Sequence, residues 1–89
     1  MEIYQLIILD KLYETYQNQT IDLWELKRHL GVCQRIPKDK IRMVIAELMN
    51  ESFLIKTDKS EFKLMDGIDL ELEKAIKEYS LIRNRTLLE

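Results

Sequence analysis

No hydrophobic run in the sequence approaches the ~20 residues that a helix needs to cross a bilayer. The first residues, MEIYQLIILD, lack the basic start and the small-residue cleavage site of a secretory signal. Only one cysteine is present, Cys33, so the chain cannot form an internal disulfide and offers no second thiol to a metal. We therefore expect a cytoplasmic protein that does not contact a membrane.

Catalytic motifs are also missing. The sequence holds no Ser-His-Asp set, no glycine-rich phosphate loop and no cluster of metal ligands. Acidic pairs such as Glu71 and Glu73 stand on different sides of a helix, which makes them poor partners for acid–base catalysis. We therefore expect no enzymatic activity, no cofactor and no metal, and we look for a binding function.

Charge is distributed unevenly along the chain. Of its 89 residues, 46% are hydrophobic and 34% are charged, a balance typical of one small globular domain. The formal net charge is −2, yet residues 27–63 hold nine basic and five acidic side chains and therefore carry +4. Residues 1–26 carry −4, and residues 64–89 carry −2. A basic middle between acidic ends favours contact of the middle segment with a polyanion.

A helix is predicted after Pro37, because proline suits the first helical position. Apolar residues then recur with the period of a helix that has one buried face, at Ile41, Val44, Ile45, Leu48 and Met49. After Asn50 the apolar period changes from 3.6 residues to two.

The residues after that helix predict a β-hairpin. Phe53 and Ile55 alternate with their neighbours in a first strand, and Phe62 and Leu64 do so in a second. The polar turn between the strands is Asp58-Lys59-Ser60.

A first helix is predicted over residues 2–17. It is apolar around most of its circumference, with Tyr4 and Ile8 on a different side from its main stripe. It either packs against more than one surface or has one wide core face with a few exposed apolar residues.

A short second helix is predicted to begin at Asp22 as N-cap, with Glu25 completing a pair like a capping box. Thr20-Ile21 precedes it as a very short strand beside the hairpin. Gly31 suits a left-handed residue at its end, and its inward stripe is Leu23, Leu26 and Leu30.

Two side chains of this second helix lie off its stripe. Trp24 is expected to pack on the first helix or to stay partly exposed, without a role as a ligand platform. His29 is expected to face solvent, where it would favour the C-terminal end of the helix dipole.

The order of helix, short strand, helix, turn, helix and hairpin resembles the winged-helix DNA-binding superfamily. The residues that carry the resemblance are TIDLWELKRHLGV (20–32) and IPKDKIRMVIAELMNESFLIKTDKSEFKLM (36–65). The resemblance implies an α+β, mostly helical domain over residues 1–66, with three helices and a hairpin wing. The hairpin tip lacks the glycine or the extended basic loop of long-winged members, so the wing would be short.

A further helix is predicted from about Asp69 to Arg85. Its stripe includes Leu72, Ala75, Ile76, Tyr79 and Ile82. Small archaeal and bacterial winged-helix regulators that look similar, including the PadR-like group, dimerise through such terminal helices. The resemblance therefore implies that residues 67–89 form a dimerisation helix packed on the first helix. The interface residues would be Tyr4, Ile8, Leu72, Ile76, Tyr79 and Ile82.

The resemblance also assigns a function, sequence-specific binding of double-stranded DNA by a small homodimeric transcriptional regulator. The recognition helix would be about residues 37–50 and the wing about residues 52–65. Base-facing residues would be Lys38, Asp39, Arg42, Met43 and Ala46. Phosphates would be bound by Lys27, Arg28, Arg35, Lys40 and Lys59. The alternative is a winged-helix protein–protein module within a larger assembly, which the acidic ends of the chain favour.

Overall fold

The computed structural model describes the backbone of residues 1–88 and the side chains of residues 1–80. The protein is α+β and mostly helical, with four α-helices and one three-stranded antiparallel sheet in the described residues. The elements follow in the order α1 (Ile3–Tyr16), β1 (Ile21–Asp22), α2 (Leu23–Arg28), a π-helical turn (His29–Cys33), α3 (Lys38–Asn50), β2 (Leu54–Asp58), β3 (Glu61–Leu64) and α4 (Ile68–Leu88).

The sheet has the strand order β1-β3-β2. Ile21 pairs with Phe62, so the expected short strand lies beside the hairpin as predicted. The hairpin turn falls at Lys59 and Ser60, and a register shift between Lys56 and Asp58 places one extra residue in β2 beside the turn. This layout is compatible with the expected order of helices and strands.

The inward residue of β2 differs from the expected pattern. Leu54 is 2% exposed, whereas Ile55 is 44% exposed. Leu54 pairs directly with Leu64, and residues opposite each other in an antiparallel pair project to the same face. Because Leu64 is fully buried, Leu54 is buried with it and Ile55 is turned to solvent.

All four helices and the sheet contribute to one core. Its most deeply buried side chains come from α1, α2, the π-helical turn, α3, the sheet and α4: Leu9, Leu12, Ile21, Leu26, Leu30, Leu48, Leu54, Leu64 and Ile68. Helix α4 packs on α1, and its first turns place Ile68 and Leu72 in this same cluster. A boundary at residues 66–67 therefore does not separate two cores.

Two of the residues expected at an interface between chains are instead buried within one chain. Ile8 is 8% exposed and Leu72 is 3% exposed, and both belong to the core. Their assignment to a dimer interface is wrong, because the core of the single chain already covers both side chains. Ile82 lies outside the residues whose side chains are described.

In the described residues, none of the helices has both the length and the apolar character needed for a membrane span.

Two leucines of α4 test whether this helix is part of the core. Leu72→Ala should lower the free energy of unfolding by about 2–5 kcal/mol, because it empties a buried site. Leu70→Ala is the matched control, since Leu70 is 66% exposed and two residues away, and should change it by no more than about 0.5 kcal/mol. Urea unfolding measures both. Equal midpoints for Leu72→Ala and the unmodified protein would contradict the shared core.

Candidate functional site

The first residue of helix α2 is hydrogen-bonded to the hairpin turn. The Oδ1 atom of Asp22 accepts a hydrogen bond of 2.8 Å from the Glu25 amide, which confirms the predicted N-cap. The Leu23 amide donates a hydrogen bond of 2.7 Å to the Ser60 carbonyl. The position of α2 relative to the hairpin is therefore set by backbone contacts.

The end of α2 differs from the expected glycine stop. Gly31 does not take a left-handed conformation, and the helix continues as the π-helical turn. Arg35 instead has a positive φ of 57° and redirects the chain before α3. A Cβ atom on Gly31 would lie 3.2 Å from Cδ1 of Ile41, so the absent side chain lets the turn approach α3 closely.

His29 is buried, and the expectation that it faces solvent is wrong. It is 5% exposed and packs edge-on against the ring of Tyr16, with ring centroids 5.3 Å apart. The distance from Nε2 to the Thr15 hydroxyl is 3.1 Å, and the distance from Nδ1 to Nε2 of Gln34 is 3.3 Å. His29 is the first residue of the π-helical turn, and its contacts join this turn to α1.

The hydrogen bonds around His29 assign it one neutral tautomer. Gln34 Nε2 also donates to the Ile8 carbonyl, at 3.2 Å, so this atom is the amide nitrogen and its second hydrogen points to Nδ1. The Thr15 hydroxyl donates to the Lys11 carbonyl, at 3.1 Å, and accepts from Nε2. Burial and the nearby charge of Arg28 lower the pKa of His29, in agreement with this neutral form.

Helix α3 begins after Pro37, which is its N-cap rather than its first helical residue. The Lys40 amide donates a hydrogen bond of 2.8 Å to the Pro37 carbonyl. Its inward face follows the predicted period, with Ile41, Val44, Ile45 and Leu48 buried. The residues expected to face outward are all exposed: Lys38, Asp39, Arg42, Met43 and Ala46.

An open groove of about 600 Å³ separates α2 from α3, and we call it the α2–α3 groove. Ile41 forms part of its apolar surface. Four cationic side chains and one acidic side chain line it: Lys27, Arg28, Lys38, Arg42 and Asp39. Four of the nine basic side chains of residues 27–63 thus line one concave surface, next to the apolar side chains of Trp24 and Ile41.

The residues expected to bind phosphate are all exposed, but they do not form one cluster. Lys27 and Arg28 line the α2–α3 groove, whereas Arg35, Lys40 and Lys59 do not. Arg28 is engaged within the chain, since its guanidinium donates to both carboxylate oxygens of Glu25, at 3.0 and 3.1 Å. This pairing lowers the pKa of Glu25 and raises that of Arg28. Arg28 is therefore less available to a phosphate than Lys27.

Sequence reasoning gave Trp24 no binding role. Its side chain is 70% exposed and lines the α2–α3 groove. The feature of the sequence that could have indicated this exposure is the position of Trp24 off the Leu23–Leu26–Leu30 stripe. That position leaves the indole on the solvent side of a six-residue helix.

A second surface lies between α1 and α4, and we call it the α1–α4 groove. It measures about 360 Å³ and is lined by Ile3, Leu6, Ile7, Asp10, Lys11, Ile76 and Tyr79. Ile76 and Tyr79, both expected at a dimer interface, are 45% and 43% exposed. Tyr4 is 42% exposed but does not line the groove, and its hydroxyl donates to the Glu47 carboxylate on α3. That hydrogen bond raises the pKa of Tyr4 to about 12.

Among the side chains described, no three His, Cys, Asp or Glu residues are grouped so as to hold a metal ion. Cys33, the last residue of the π-helical turn, is exposed.

Comparisons with known proteins give no match to a protein-family model, to a curated protein or to a solved structure.

The environment of His29 predicts a pH-dependent stability. Its folded pKa lies below 6.5, so the unfolded chain binds more protons between the two values. The free energy of unfolding should therefore fall as the pH drops below about 6.5, while above that pH the contribution is fully present. Urea midpoints at about pH 7.5 and about pH 5.5 measure the loss, because carboxylates titrate mostly below this window.

The control is His29→Gln, which keeps hydrogen-bonding atoms but does not titrate. This variant should be less stable at both pH values and should lose less stability between them. An equal loss in the variant would assign the pH dependence to other groups.

Proposed function

We propose that the chain is a winged-helix protein that binds double-stranded DNA sequence-specifically, as a small transcriptional regulator. In this proposal α3 is the recognition helix in the major groove, and the β2–β3 hairpin is a short wing on the backbone. The observation that carries it is the α2–α3 groove, which gathers Lys27, Lys38 and Arg42 beside an exposed helix face in a protein of net charge −2. A cationic concave surface on an otherwise acidic protein favours a polyanionic partner.

The exposed face of α3 has side chains suited to base edges. Arg42 can pair with the two acceptors of a guanine, and Met43 and Ala46 can contact a thymine methyl group. Lys40 and Lys59, which lie outside the groove, would contact phosphates along the backbone. The hairpin turn carries Lys59 and is fixed to α2, so the wing would approach the duplex together with α2.

A homodimer completes the proposal. The α1–α4 groove exposes Ile3, Ile7, Ile76 and Tyr79, and contact with a second chain would remove this apolar surface from water. In a two-fold dimer the two α3 helices would enter successive major grooves, about 34 Å apart.

A charge-reversal variant tests the DNA-binding face. Lys38→Glu, Lys40→Glu and Arg42→Glu combined should weaken binding to duplex DNA at least about a hundredfold, because phosphate and base contacts are lost together. The slope of log affinity against log salt should also become shallower by about 0.9 for each phosphate contact removed. Fluorescence anisotropy with a labelled duplex, repeated over a series of salt concentrations, measures both quantities.

The matched control combines Lys74→Glu, Lys77→Glu, Asn18→Asp and Gln19→Glu, at four exposed positions that line neither the α2–α3 groove nor the α1–α4 groove. It changes the net charge by the same amount and should retain most of the affinity. Folding is protected in the test variant, since acidic residues in the first turn of α3 favour the helix dipole. If the test variant and the control lose affinity equally, net charge rather than this face governs binding.

A second candidate function is a protein–protein module that docks into a larger assembly. The exposed apolar side chains of the α1–α4 groove favour it, and so do the acidic ends of the chain. In that case the same groove would bind a different protein instead of a second copy.

Light scattering over a range of protein concentrations separates the two. We expect a dimer at micromolar concentration, and Ile7→Lys combined with Ile76→Lys should give a monomer because both charges would be buried at the interface. Leu70→Lys is the control, since Leu70 is on α4 but does not line the groove. A monomeric unmodified protein would remove the dimer from the proposal and favour the assembly module.

A further inference from the structure

One tryptophan, on α2, lines the surface between α2 and α3 and also the surface beside the hairpin turn. Trp24 is the only tryptophan of the chain, and at 70% it is the most exposed of the large apolar side chains described. It lines the α2–α3 groove and also a second groove of about 350 Å³, beside Lys27 and Ser60 of the hairpin turn. Burial in the core does not account for an indole in this position.

The guanidinium of Arg28 lies over the Trp24 ring. Its guanidinium carbon lies 5.9 Å from the centre of the Trp24 ring, within the range of a cation–π contact. The guanidinium is itself fixed by two hydrogen bonds to Glu25. Glu25 in turn accepts a hydrogen bond of 3.0 Å from the Tyr16 hydroxyl at the end of α1.

This chain of contacts prepares the ring before any ligand arrives. The Tyr16 hydroxyl donates to Glu25, and partial burial together with this hydrogen bond raises the pKa of Tyr16 to about 12. A side chain that is already restrained loses less conformational entropy when a partner binds. Glu25 also neutralises Arg28, which suits Arg28 to support the ring rather than to bind an anion.

The charges around the ring indicate what kind of ligand it would contact. Lys27 lines both grooves beside Trp24, and Lys38 and Arg42 line the groove toward α3. A ligand here meets an apolar ring face with cations next to it. A nucleic-acid strand is complementary to this surface, because its apolar sugar and base surfaces can contact the ring while its phosphates contact the cations.

We propose that Trp24 is a DNA-contacting residue, and that its indole packs on a deoxyribose whose neighbouring phosphates are bound by Lys27 and Lys38. This inference rests on the proposed function and adds to it a contact from α2 that is apolar and independent of base sequence. It gives Arg28 the role of a positioning residue in place of the phosphate contact expected from the sequence. It also gives Lys38 a phosphate contact in place of the expected contact with a base.

Trp24 reports on this contact directly. Unlabelled duplex DNA is added to the full chain, and emission is excited at the red edge of the indole absorption so that the four tyrosines do not contribute. Saturating duplex should shift the emission and reduce acrylamide quenching of Trp24 by about half or more, as the exposed ring becomes covered. Anisotropy with a labelled duplex determines binding separately.

Variants test the energy of the contact. Trp24→Ala should bind duplex DNA about tenfold more weakly, in the range of aromatic stacking contacts, without changing the salt slope. Trp24→Phe should recover part of the affinity. Leu70→Ala, which removes a comparably exposed side chain outside both grooves, should bind like the unmodified protein. Arg28→Ala should leave the contact in place but increase acrylamide quenching of the free protein.

The outcomes separate this inference from the proposed function. Duplex binding by anisotropy, with unchanged Trp24 quenching and an unaffected Trp24→Ala variant, would overturn the contact and leave DNA binding standing. Stronger protection of Trp24 by single strands than by duplex would overturn its assignment to a duplex backbone. Failure of the folded protein to bind any duplex at low salt would overturn both.

Discussion

The hydrogen-bond chain through His29 is the constraint that holds the turn after α2 against α1. It joins α1 to the π-helical turn through Thr15 and joins the turn to the α1 backbone through Gln34. No buried polar side-chain atom among the described residues lacks a partner. His29 is the buried member of this network, so a shift of the turn away from α1 would leave its ring nitrogens without partners in a site that water does not reach freely. This network holds the turn after α2 against α1, and the close approach of Gly31 to Ile41 brings the same turn against α3.

The core is bordered by two separate grooves. Helix α4 completes the core with Ile68 and Leu72, and its later turns then form the apolar α1–α4 groove. On another side, α2 and α3 expose the cationic groove and Trp24. An 89-residue chain buries a limited fraction of its apolar surface, so apolar side chains that remain exposed together mark surfaces where a partner would be stabilising.

Sequence periodicity predicted α3 and the hairpin well, because the apolar spacing of each agrees with its local backbone. The role of Asp22 as N-cap was also predicted correctly, since capping depends on neighbouring residues alone. The inward face of β2 could not be predicted from the sequence pattern. Leu54 and Ile55 are both apolar, and only pairing of Leu54 with buried Leu64 decides which one enters the core. His29 was placed wrongly for a related reason, since its partners Thr15 and Gln34 come from other turns of the chain.

By itself the sequence determined the helices, the hairpin and the clustering of basic residues, because these depend on the spacing of residues close together in the chain. It also identified the exposed residues of α3, which follow directly from the helical period. Only the tertiary structure decided that α4 shares the core, that Glu25 engages Arg28, and that Trp24 lies among the cations of α2 and α3. Those facts depend on distances between elements, and such distances are set by side-chain packing across the whole fold rather than by local pattern.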